Sequence, residues 1–541
     1  MDVKIIKALF FMLFNLSFSV ISCSQTGNNT EKGTERTKYV NADSALRGEI
    51  GFDSLQLHSF LEEYPKLKRY KVELWSFYRK RNFTYVWFDK VGLIEQAGNL
   101  TNRITNLEDD GVFKQLSYVK GLDSLVHQPS AELYHAKPNL KIELLLTGEY
   151  FVYAGLAWQG MNPVVSTSNS WMLPRKKITY ERYLDSLLSS PIQKIPAKEP
   201  VYRQYELLQS YLRKYRLLDD KYDWSMITVN AKAIKTKDTT LICQVKRRLF
   251  QLEDYDGSTT DTVFDDRLRL GLIRFQQRHG LDTTGTINKI TIQELNVPLK
   301  TRIKQILVNM ERSRWLPVSS QGDYLAVNIP EFKLHVYRDD NLLWSCEAVV
   351  GQAIHPTTLF YGEINQVVFS PYWNVPESIV INEILPGMRR SANFLSNHQM
   401  EIIGKRNGLP IVRQKPGPSN SLGRVKFLFP NSYSIYLHDT PSKFLFKETS
   451  RAFSHGCIRI AKPARLAAFL LDDDKKWTAQ TISSAMRLGK ERSVLTASKT
   501  PVFIAYFTAF IDRDGKLNFR KDIYHLDERL AATILSGNGA Y

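Results

Sequence analysis

The spacing of apolar residues divides the chain into a helix-rich first part and a strand-rich second part. From residue 46 to residue 236 apolar residues recur every three or four positions, which is the period of a helix with one buried face. In VYRQYELLQSYLRKYRLL this face consists of Tyr205, Leu208, Leu212 and Tyr215. The pattern predicts a helical scaffold domain, and the region contains no compact catalytic motif.

A smaller helical unit is predicted at 237–300. The apolar faces of its helices consist of Val245, Leu249, Leu268, Leu272 and Phe275. Gly280 and Gly285 are expected to end the second helix and to turn the chain, and His279, directly before Gly280, is interpreted as structural. A connecting helix is predicted at 301–320, where TRIKQILVNMERSRWL carries one apolar stripe.

From 321 to 541 apolar and polar residues alternate, which indicates strands, beginning with a hairpin that turns near Asp339. The less regular segment 378–423 is expected to form a mobile cap inserted into this domain. The last two strands, joined at Asp514, are expected to extend the sheet. Their DRDG loop lacks the later acidic ligands of a calcium loop and is interpreted as a turn. The fold class is therefore multidomain α+β, with a mainly β second part.

The N-terminus carries the pattern of an export signal over residues 1–22. Lys4 and Lys7 precede an apolar run that is too short for a confident membrane span. The run ends in Val-Ile-Ser-Cys, which resembles the lipobox of bacterial lipoproteins and implies that Cys23 is lipidated. Residues 23–45 then form a polar tether, and the chain is expected to be periplasmic and lipid-anchored. Ordinary secretion and an uncleaved anchor helix are the alternatives.

Composition and charge narrow the classes of protein and partner. Among 541 residues, 43% are apolar, with 28 Phe and 26 Tyr, which excludes a mainly disordered chain. The net charge of +18 favours anionic surroundings. Nucleic acid is not expected for an exported chain without an aromatic-plus-basic motif. Carboxylate-rich wall polymer or anionic lipid fits better, and a merely solvated basic surface is the alternative.

Candidate chemistry is concentrated in HDTPSKFLFKETSRAFSHGCIR, which contains His438, His455 and Cys457. If Cys23 is lipidated, three of the four cysteines remain, so at least one thiol is unpaired. Cys243 and Cys346 are expected to be buried apolar residues, which leaves Cys457 as the candidate nucleophile.

A neighbouring imidazole is needed to take the proton of such a thiol. Strand-like residues flank both groups, so adjacent strands are expected to bring His438 to Cys457. Asp439 or a backbone carbonyl would orient the imidazole, and the sequence does not choose between them. Amides around Gly456 and Cys457 are expected to stabilise an oxyanion, which makes the predicted reaction an acyl transfer.

The spacing from His438 through Ser454 to Cys457 resembles the H-x(14–17)-[ST]-H-G-C signature of YkuD-type L,D-transpeptidases. Flanking segments, including SPYWNVPESI, LLLTGEY and FRKDIY, resemble the large YcbB-like branch of that family. FQQRHGLDTTGTINKITIQELN resembles a three-helix peptidoglycan-binding module. The resemblance implies a helical scaffold, this module, and a catalytic domain with an inserted cap.

The resemblance also implies roles for the residues of the site. Cys457 would be the nucleophile and His438 the proton donor and acceptor, with His455 and Gly456 shaping the oxyanion pocket. The expected substrate-binding residues are Arg459, Tyr436, Trp373 and Ser454. Cys457 would release D-Ala from a tetrapeptide stem, and the thioester would pass to the diamino-acid amine of another stem. The implied partners are stem peptides and glycan, no cofactor is needed, and carbapenem-type β-lactams are expected covalent inhibitors.

Three other interpretations use the same residues. A zinc site formed by Cys457, His455 and His438 lacks a nearby fourth ligand in the sequence. With water as the acceptor, the same site would give an L,D-carboxypeptidase or endopeptidase. A non-catalytic wall-binding lipoprotein would use the helical module alone.

Overall fold

The computed structural model describes residues 50–89, 91–114, 116–126, 137–189, 201–228, 238–317 and 322–536. The predicted export signal, Cys23 and the tether lie outside these described residues. All the described residues belong to one compact unit. Among the described helices, none combines the length and the apolar character needed to cross a membrane.

The scaffold is helical over its described residues. Its helices are α1 (Ser54–Glu63), α2 (Lys71–Arg79), α3 (Glu95–Thr105), α4 (Val119–Val126), α5 (Leu140–Ala154), α6 (Pro163–Ser168), α7 (Tyr180–Ser189) and α8 (Gln204–Lys221). The predicted apolar face of α8 is buried, as expected. A short strand, β1 (Trp171–Met172), leaves the scaffold and pairs with a strand of the catalytic domain, so the two parts share one sheet.

The small unit and the connecting helix follow the predicted pattern. They contain α9 (Thr239–Gln251), α10 (Asp266–Arg278), α11 (Lys289–Leu295) and α12 (Leu299–Trp315). The predicted apolar residues of the first three helices form a separate core. Each of these helices begins at a polar side chain that accepts a backbone N–H, namely Asp238, Asp265 and Asn288. His279 is buried with Nδ1 2.8 Å from the Phe275 carbonyl, which fits a structural role.

The second part is built on a large mixed sheet with helices around it. Its strands are β2 (Asp323–Asn328), β3 (Lys333–Arg338), β4 (Asn341–Gly351), β5 (Leu359–Phe369), β6 (Trp373–Asn374), β7 (Met400–Arg406), β8 (Leu409–Gln414), β9 (Val425–Leu428), β10 (Leu437–His438), β11 (Ala452–Ser454), β12 (Ile458–Ile460) and β13 (Arg492–Ala505). Its helices are α13 (Glu377–Ile379), α14 (Leu385–Arg390), α15 (Phe394–Asn397), α16 (Pro463–Leu470), α17 (Ala479–Arg487) and α18 (Asp527–Ser536).

The main sheet runs in the order β1-β5-β13-β2-β3-β4-β12-β10-β9, and β9 also pairs with β5, which closes the path into a ring. The predicted β3–β4 hairpin is present. Both of its turn residues, Asp339 and Asp340, have positive φ (48° and 62°), as a type I′ turn requires. The multidomain α+β class predicted from the sequence is thus confirmed.

The inserted cap is more regular than the sequence indicated. Strands β6, β8 and β7 form their own three-stranded sheet, and α13 to α15 pack beside it. The cap also has its own small core, made of Val375, Val380, Ile384 and Val412. The expectation of a less regular segment was wrong because these few apolar residues are separated in sequence and meet only after folding.

The C-terminal hairpin does not extend the main sheet, which corrects the prediction. Strands β14 (Ala509–Ile511) and β15 (Leu517–Phe519) form a separate two-stranded sheet. The side chain of Gln204, at the start of α8, forms hydrogen bonds with both backbone groups of Ile511 at the edge of the hairpin. It donates to the Ile511 carbonyl (2.8 Å) and accepts the Ile511 N–H (2.7 Å). The edge of the hairpin is therefore docked on the scaffold.

Helix α12 joins the helical parts to the catalytic domain through a buried amide. Asn309 is fully buried, donates to the Thr508 hydroxyl (2.7 Å) and accepts the Thr508 N–H (3.0 Å). The Thr508 hydroxyl in turn donates to Asp527 at the start of α18 (2.6 Å). Asn309 and Thr508 together thus connect α12 with the segment before β14 and with α18.

Replacing this amide is expected to destabilise the chain. Asn309→Ala leaves the buried Thr508 N–H without its acceptor, so the free energy of unfolding should fall by about 2 kcal/mol. Urea denaturation followed by circular dichroism measures the change. Lys304→Ala, an exposed position on the same helix, is the control, and equal unfolding midpoints for the two variants would contradict the role of Asn309.

Candidate active site

Two very short strands place the predicted base and nucleophile on neighbouring segments of the sheet. β10 pairs in parallel with β12, with His438 opposite Arg459, and the Ile458 N–H donates to the Tyr436 carbonyl (3.1 Å). The expected neighbouring strands are therefore present. Cys457 itself lies outside a strand, however, because the chain bends at His455 and Gly456 and β12 begins only afterwards.

A backbone carbonyl orients the imidazole of His438. The ring is buried, and its Nδ1 lies 2.5 Å from the carbonyl oxygen of Asp439. Since a carbonyl only accepts, Nδ1 carries the hydrogen and Nε2 keeps a lone pair. The Asp439 carboxylate is used elsewhere, accepting the Arg424 N–H (2.9 Å) and pairing with Lys443. The sequence allowed either the Asp439 carboxylate or a backbone carbonyl to orient the imidazole, and in the structure it is the backbone carbonyl of Asp439.

The electrostatic surroundings keep both reacting groups neutral at rest. Burial, with a smaller contribution from Arg459, lowers the pKa of His438 to about 3. Burial also raises the pKa of the Cys457 thiol, although hydrogen bonds with Tyr436 and the charge of Arg459 oppose this. The thiol lies 3.6 Å from the Ser434 carbonyl and donates to it. The resting site is therefore a thiol with a neutral imidazole.

The turn before the nucleophile is fixed by side-chain hydroxyls. The Ser454 hydroxyl donates to the Cys457 carbonyl (2.6 Å) and accepts the Gly456 N–H (3.2 Å). Gly456 has φ 112°, a conformation that disfavours any side chain at this position. The Gly456 amide, expected to face an oxyanion, is thus already bonded. Within the described residues no acceptor takes the Cys457 N–H, which leaves this group for a ligand.

Thr357 holds the other side of the same peptide, and sequence reasoning did not identify it. Its hydroxyl donates to the Gly456 carbonyl (2.8 Å) and accepts the Gly351 N–H (2.9 Å). In a planar trans peptide the Gly456 carbonyl and the Cys457 N–H point in opposite directions. Fixing the carbonyl therefore aims the N–H.

Tyr524 supports Thr357 in turn. Its hydroxyl donates to the Gly351 carbonyl (2.7 Å) and accepts the Thr357 N–H (3.1 Å). Tyr524 is the last residue of the segment FRKDIY, which resembles the family, but the resemblance assigned no role to this tyrosine.

His455 lies at the mouth of the site. Its exposed ring stacks on His355, with centroids 5.0 Å apart, and its Nε2 lies 3.6 Å from Glu383 of the cap. The side chain thus faces the cap, and only its backbone belongs to the turn before Cys457.

Three predicted substrate-binding residues occupy different positions. The Tyr436 ring lies 5.7 Å from that of His438. Burial raises the pKa of the Tyr436 hydroxyl, and the neighbouring Cys457, with which it is hydrogen-bonded, raises it further. Arg459 has a buried Nε without a hydrogen-bond partner among the described residues, and burial lowers its pKa. Trp373 lies in β6 and packs on the core of the cap. Tyr436 and Arg459 are therefore beside the thiol, whereas Trp373 belongs to the cap.

The other cysteines and possible metal ligands are also placed. Cys243, Cys346 and Cys457 are all free thiols. Cys346 is buried as expected, whereas Cys243 is only partly buried. In the described ranges no group of three or more His, Cys, Asp or Glu side chains is arranged to hold a metal ion.

Comparison with protein families matches three parts of the chain. Residues 322–504 match the model described as "L,D-transpeptidase catalytic domain" (YkuD). Residues 73–212 match a "Scaffold domain", and residues 239–295 match a "Putative peptidoglycan binding domain". These matches cover the three parts that the fold separates.

A curated protein of Haemophilus influenzae named "Putative L,D-transpeptidase" is 33% identical over 261 residues, covering 44% of this chain and 52% of that protein. The chain therefore spans about half the length of the curated relative it matches. A solved L,D-transpeptidase from Stackebrandtia nassauensis is 14% identical, covering 54% of this chain and 98% of its own, with a TM-score of 0.21. One from Mycobacterium smegmatis is 13% identical, covering 34% of this chain and 58% of its own, with a TM-score of 0.18.

The identification rests on the family model and the curated relative, because both solved structures superpose too weakly to add an argument. Residues 322–504 form a catalytic domain of the YkuD family of L,D-transpeptidases.

Proposed function

We propose that the chain is a peptidoglycan L,D-transpeptidase that forms 3-3 cross-links through a thioester on Cys457. The observation that carries the proposal is the parallel pairing of β10 with β12. It places the neutral imidazole of His438 beside the strand that begins directly after the free thiol of Cys457. A thiol and a neutral base on adjacent strands are the groups that cysteine acyl transfer requires.

In the first step the sulfur of Cys457 attacks the carbonyl carbon between the diamino acid and the terminal D-Ala of a donor stem. Nε2 of His438 takes the thiol proton and returns it to the amine of D-Ala as the C–N bond breaks. The aimed Cys457 N–H donates to the oxyanion that forms in between. A thioester and free D-Ala are the products.

In the second step the side-chain amine of another stem attacks the thioester. Nε2 of His438 takes the proton of this amine and gives it to the departing sulfur, which restores the thiol. The new amide is the cross-link. The energy of the donor amide is kept in the thioester, so no cofactor enters either step.

Arg459 is proposed to bind a carboxylate of the donor stem. Its buried Nε lacks a hydrogen-bond partner in the described structure, and leaving such a group unpaired is costly. A substrate carboxylate supplies the missing acceptor close to the thiol.

The proposal also places the enzyme in the periplasm, held to a membrane by a lipid on Cys23. Its support is the lipobox-like end of the export signal and the polar residues that follow, all outside the described residues. The basic net charge suits both an anionic membrane surface and the carboxylates of the wall.

Covalent labelling tests the nucleophile. Incubation with a carbapenem should add the mass of one inhibitor molecule to the wild-type chain and none to Cys457→Ala. Cys346→Ala is the matched control and should be labelled like wild type, because that thiol is buried in β4. An adduct that persists in Cys457→Ala overturns the assignment.

The acceptor is tested separately with purified disaccharide-tetrapeptides and mass spectrometry. Dimers joined 3-3 are expected, and tripeptides alone would indicate a carboxypeptidase.

The pH profile of carbapenem acylation should rise from neutral into alkaline solution. Because the pKa of His438 is lowered to about 3, its imidazole stays neutral above about pH 5 and imposes no acid limb there. The raised thiol pKa leaves the thiolate fraction increasing toward alkaline pH. Stopped-flow rates between about pH 5 and pH 9 check this. A fall in the acylation rate below about pH 6.5 that is seen in wild type and absent from His438→Gln would contradict the lowered pKa of His438.

Thr357 is expected to act as a positioning residue. Thr357→Val keeps the shape but loses the hydroxyl that fixes the Gly456 carbonyl, so the acylation rate constant should fall by about tenfold to a hundredfold with little change in the apparent inhibitor affinity. Thr357→Ser should restore most of the rate. Thr358→Val, the same change at the next residue, is the control, and equal rates for both valine variants would exclude the role.

A further inference from the structure

One cavity is lined by residues from all three parts of the chain and does not include the thiol. It has a volume of about 640 Å³, within the range of small-ligand sites. The start of α8, the end of α10, the β2–β4 face and the terminal hairpin all contribute to it. Neither Cys457 nor His438 is among its lining residues, so this interdomain cleft is distinct from the active site.

Aromatic rings make up one part of the lining of the interdomain cleft, called its aromatic side. The rings are those of Tyr202, Tyr324, Tyr337, Phe503, Phe507 and Phe510. Tyr324 and Tyr337 stack almost in parallel, with centroids 4.7 Å apart and planes 6° apart, and the Tyr324 hydroxyl donates to Asp340 (2.9 Å). Fixed aromatic rings offer flat apolar faces at a small cost in side-chain entropy, and the apolar faces of sugar rings pack on such surfaces.

The charged residues of the lining carry both signs in nearly equal number. The basic residues are Arg203, Arg274, Arg278, Lys333, Arg513, Lys516 and Arg520, and the acidic ones are Glu253, Asp254, Glu331, Asp340, Asp512 and Asp514. This balance differs from the net charge of +18 of the whole chain. A surface that binds nucleic acid or an anionic membrane carries an excess of basic residues. The lining of the cleft has no such excess, so it favours a ligand that carries both positive and negative groups.

Buried charged side chains of the lining are held in place by ion pairs with one another. Arg278 and Asp254 form a buried ion pair (2.5 Å), and Glu331 lies 3.0 Å from His335. Exposed side chains, including Arg274 and Gln277 of α10, stand at the entrance. The polar walls are therefore preformed, while the entrance keeps side chains that can reach a ligand.

We propose that the interdomain cleft binds a muropeptide, that is, a wall disaccharide with its zwitterionic stem peptide. The inference rests on the proposed function, since it gives that enzyme a second contact with its polymer. Sugar rings match the aromatic side, and the carboxylates and free amine of a stem peptide match walls of both charges. Because the family-matched peptidoglycan-binding module supplies only one wall, the site exists only in the assembled chain.

Photo-crosslinking with a defined probe tests the site. The full chain with Cys457→Ala, which prevents turnover, is irradiated with a disaccharide-tetrapeptide carrying a diazirine on its reducing sugar, and adducts are located by peptide mass spectrometry. Adducts are expected in 266–278 and 324–345, the segments of α10 and of the β2–β4 face. Arg274→Ala should weaken binding in a competition titration by about tenfold, and Gln277→Trp should block it by filling the entrance.

The control is Arg267→Ala, an exposed arginine on the same helix that does not line the interdomain cleft, and it should bind like the parent. Adducts confined to 433–459 overturn the proposal, as does equal binding by the Arg274→Ala, Gln277→Trp and Arg267→Ala variants. Equal competition by the free tetrapeptide or by chitotetraose alone also overturns it, because both halves of the ligand are required. Failure of the proposed function is recorded separately, as the absence of a carbapenem adduct on wild-type Cys457.

Discussion

The candidate active site depends on the pairing of two strands that are too short to exist alone. β10 has two residues and β12 has three, yet His438 and Arg459 lie opposite each other because β10 is held between β9 and β12, and β12 between β10 and β4. Isolated pairs of this length are unstable in water. The closed path of the main sheet therefore holds the segments of His438 and Cys457 next to each other. The hydrogen bonds of Asp439, Ser454 and Thr357 then set the orientation of the groups on these segments.

Burial then sets the protonation state of the site. It lowers the pKa of His438 and raises that of Cys457, so both shifts favour the neutral pair over a thiolate–imidazolium pair. A neutral thiol reacts less readily with oxidants than a thiolate does, since the thiolate is the reactive form. Proton transfer can then accompany substrate attack.

The helical parts are joined to this sheet by specific polar contacts. Asn309 connects α12 to the segment before β14, Gln204 connects α8 to the terminal hairpin, and β1 adds a scaffold strand to the sheet. Gln204 and Ile511 also line the interdomain cleft. The contact that holds the terminal hairpin on the scaffold is therefore part of the surface proposed for wall binding.

The sequence by itself determined the features that depend on local order. Helical periodicity identified the buried face of α8, a turn pattern located the β3–β4 hairpin, and strand-like residues predicted the neighbouring strands β10 and β12. Tertiary structure decided what depends on groups distant in sequence. Thr357 reaches the Gly456 carbonyl from 99 residues away, and no local pattern predicts such a contact. The choice of the Asp439 carbonyl over its carboxylate and the docking of the terminal hairpin were decided in the same way. Hydrogen-bond partners are assigned by proximity in the folded chain, which periodicity and spacing do not encode.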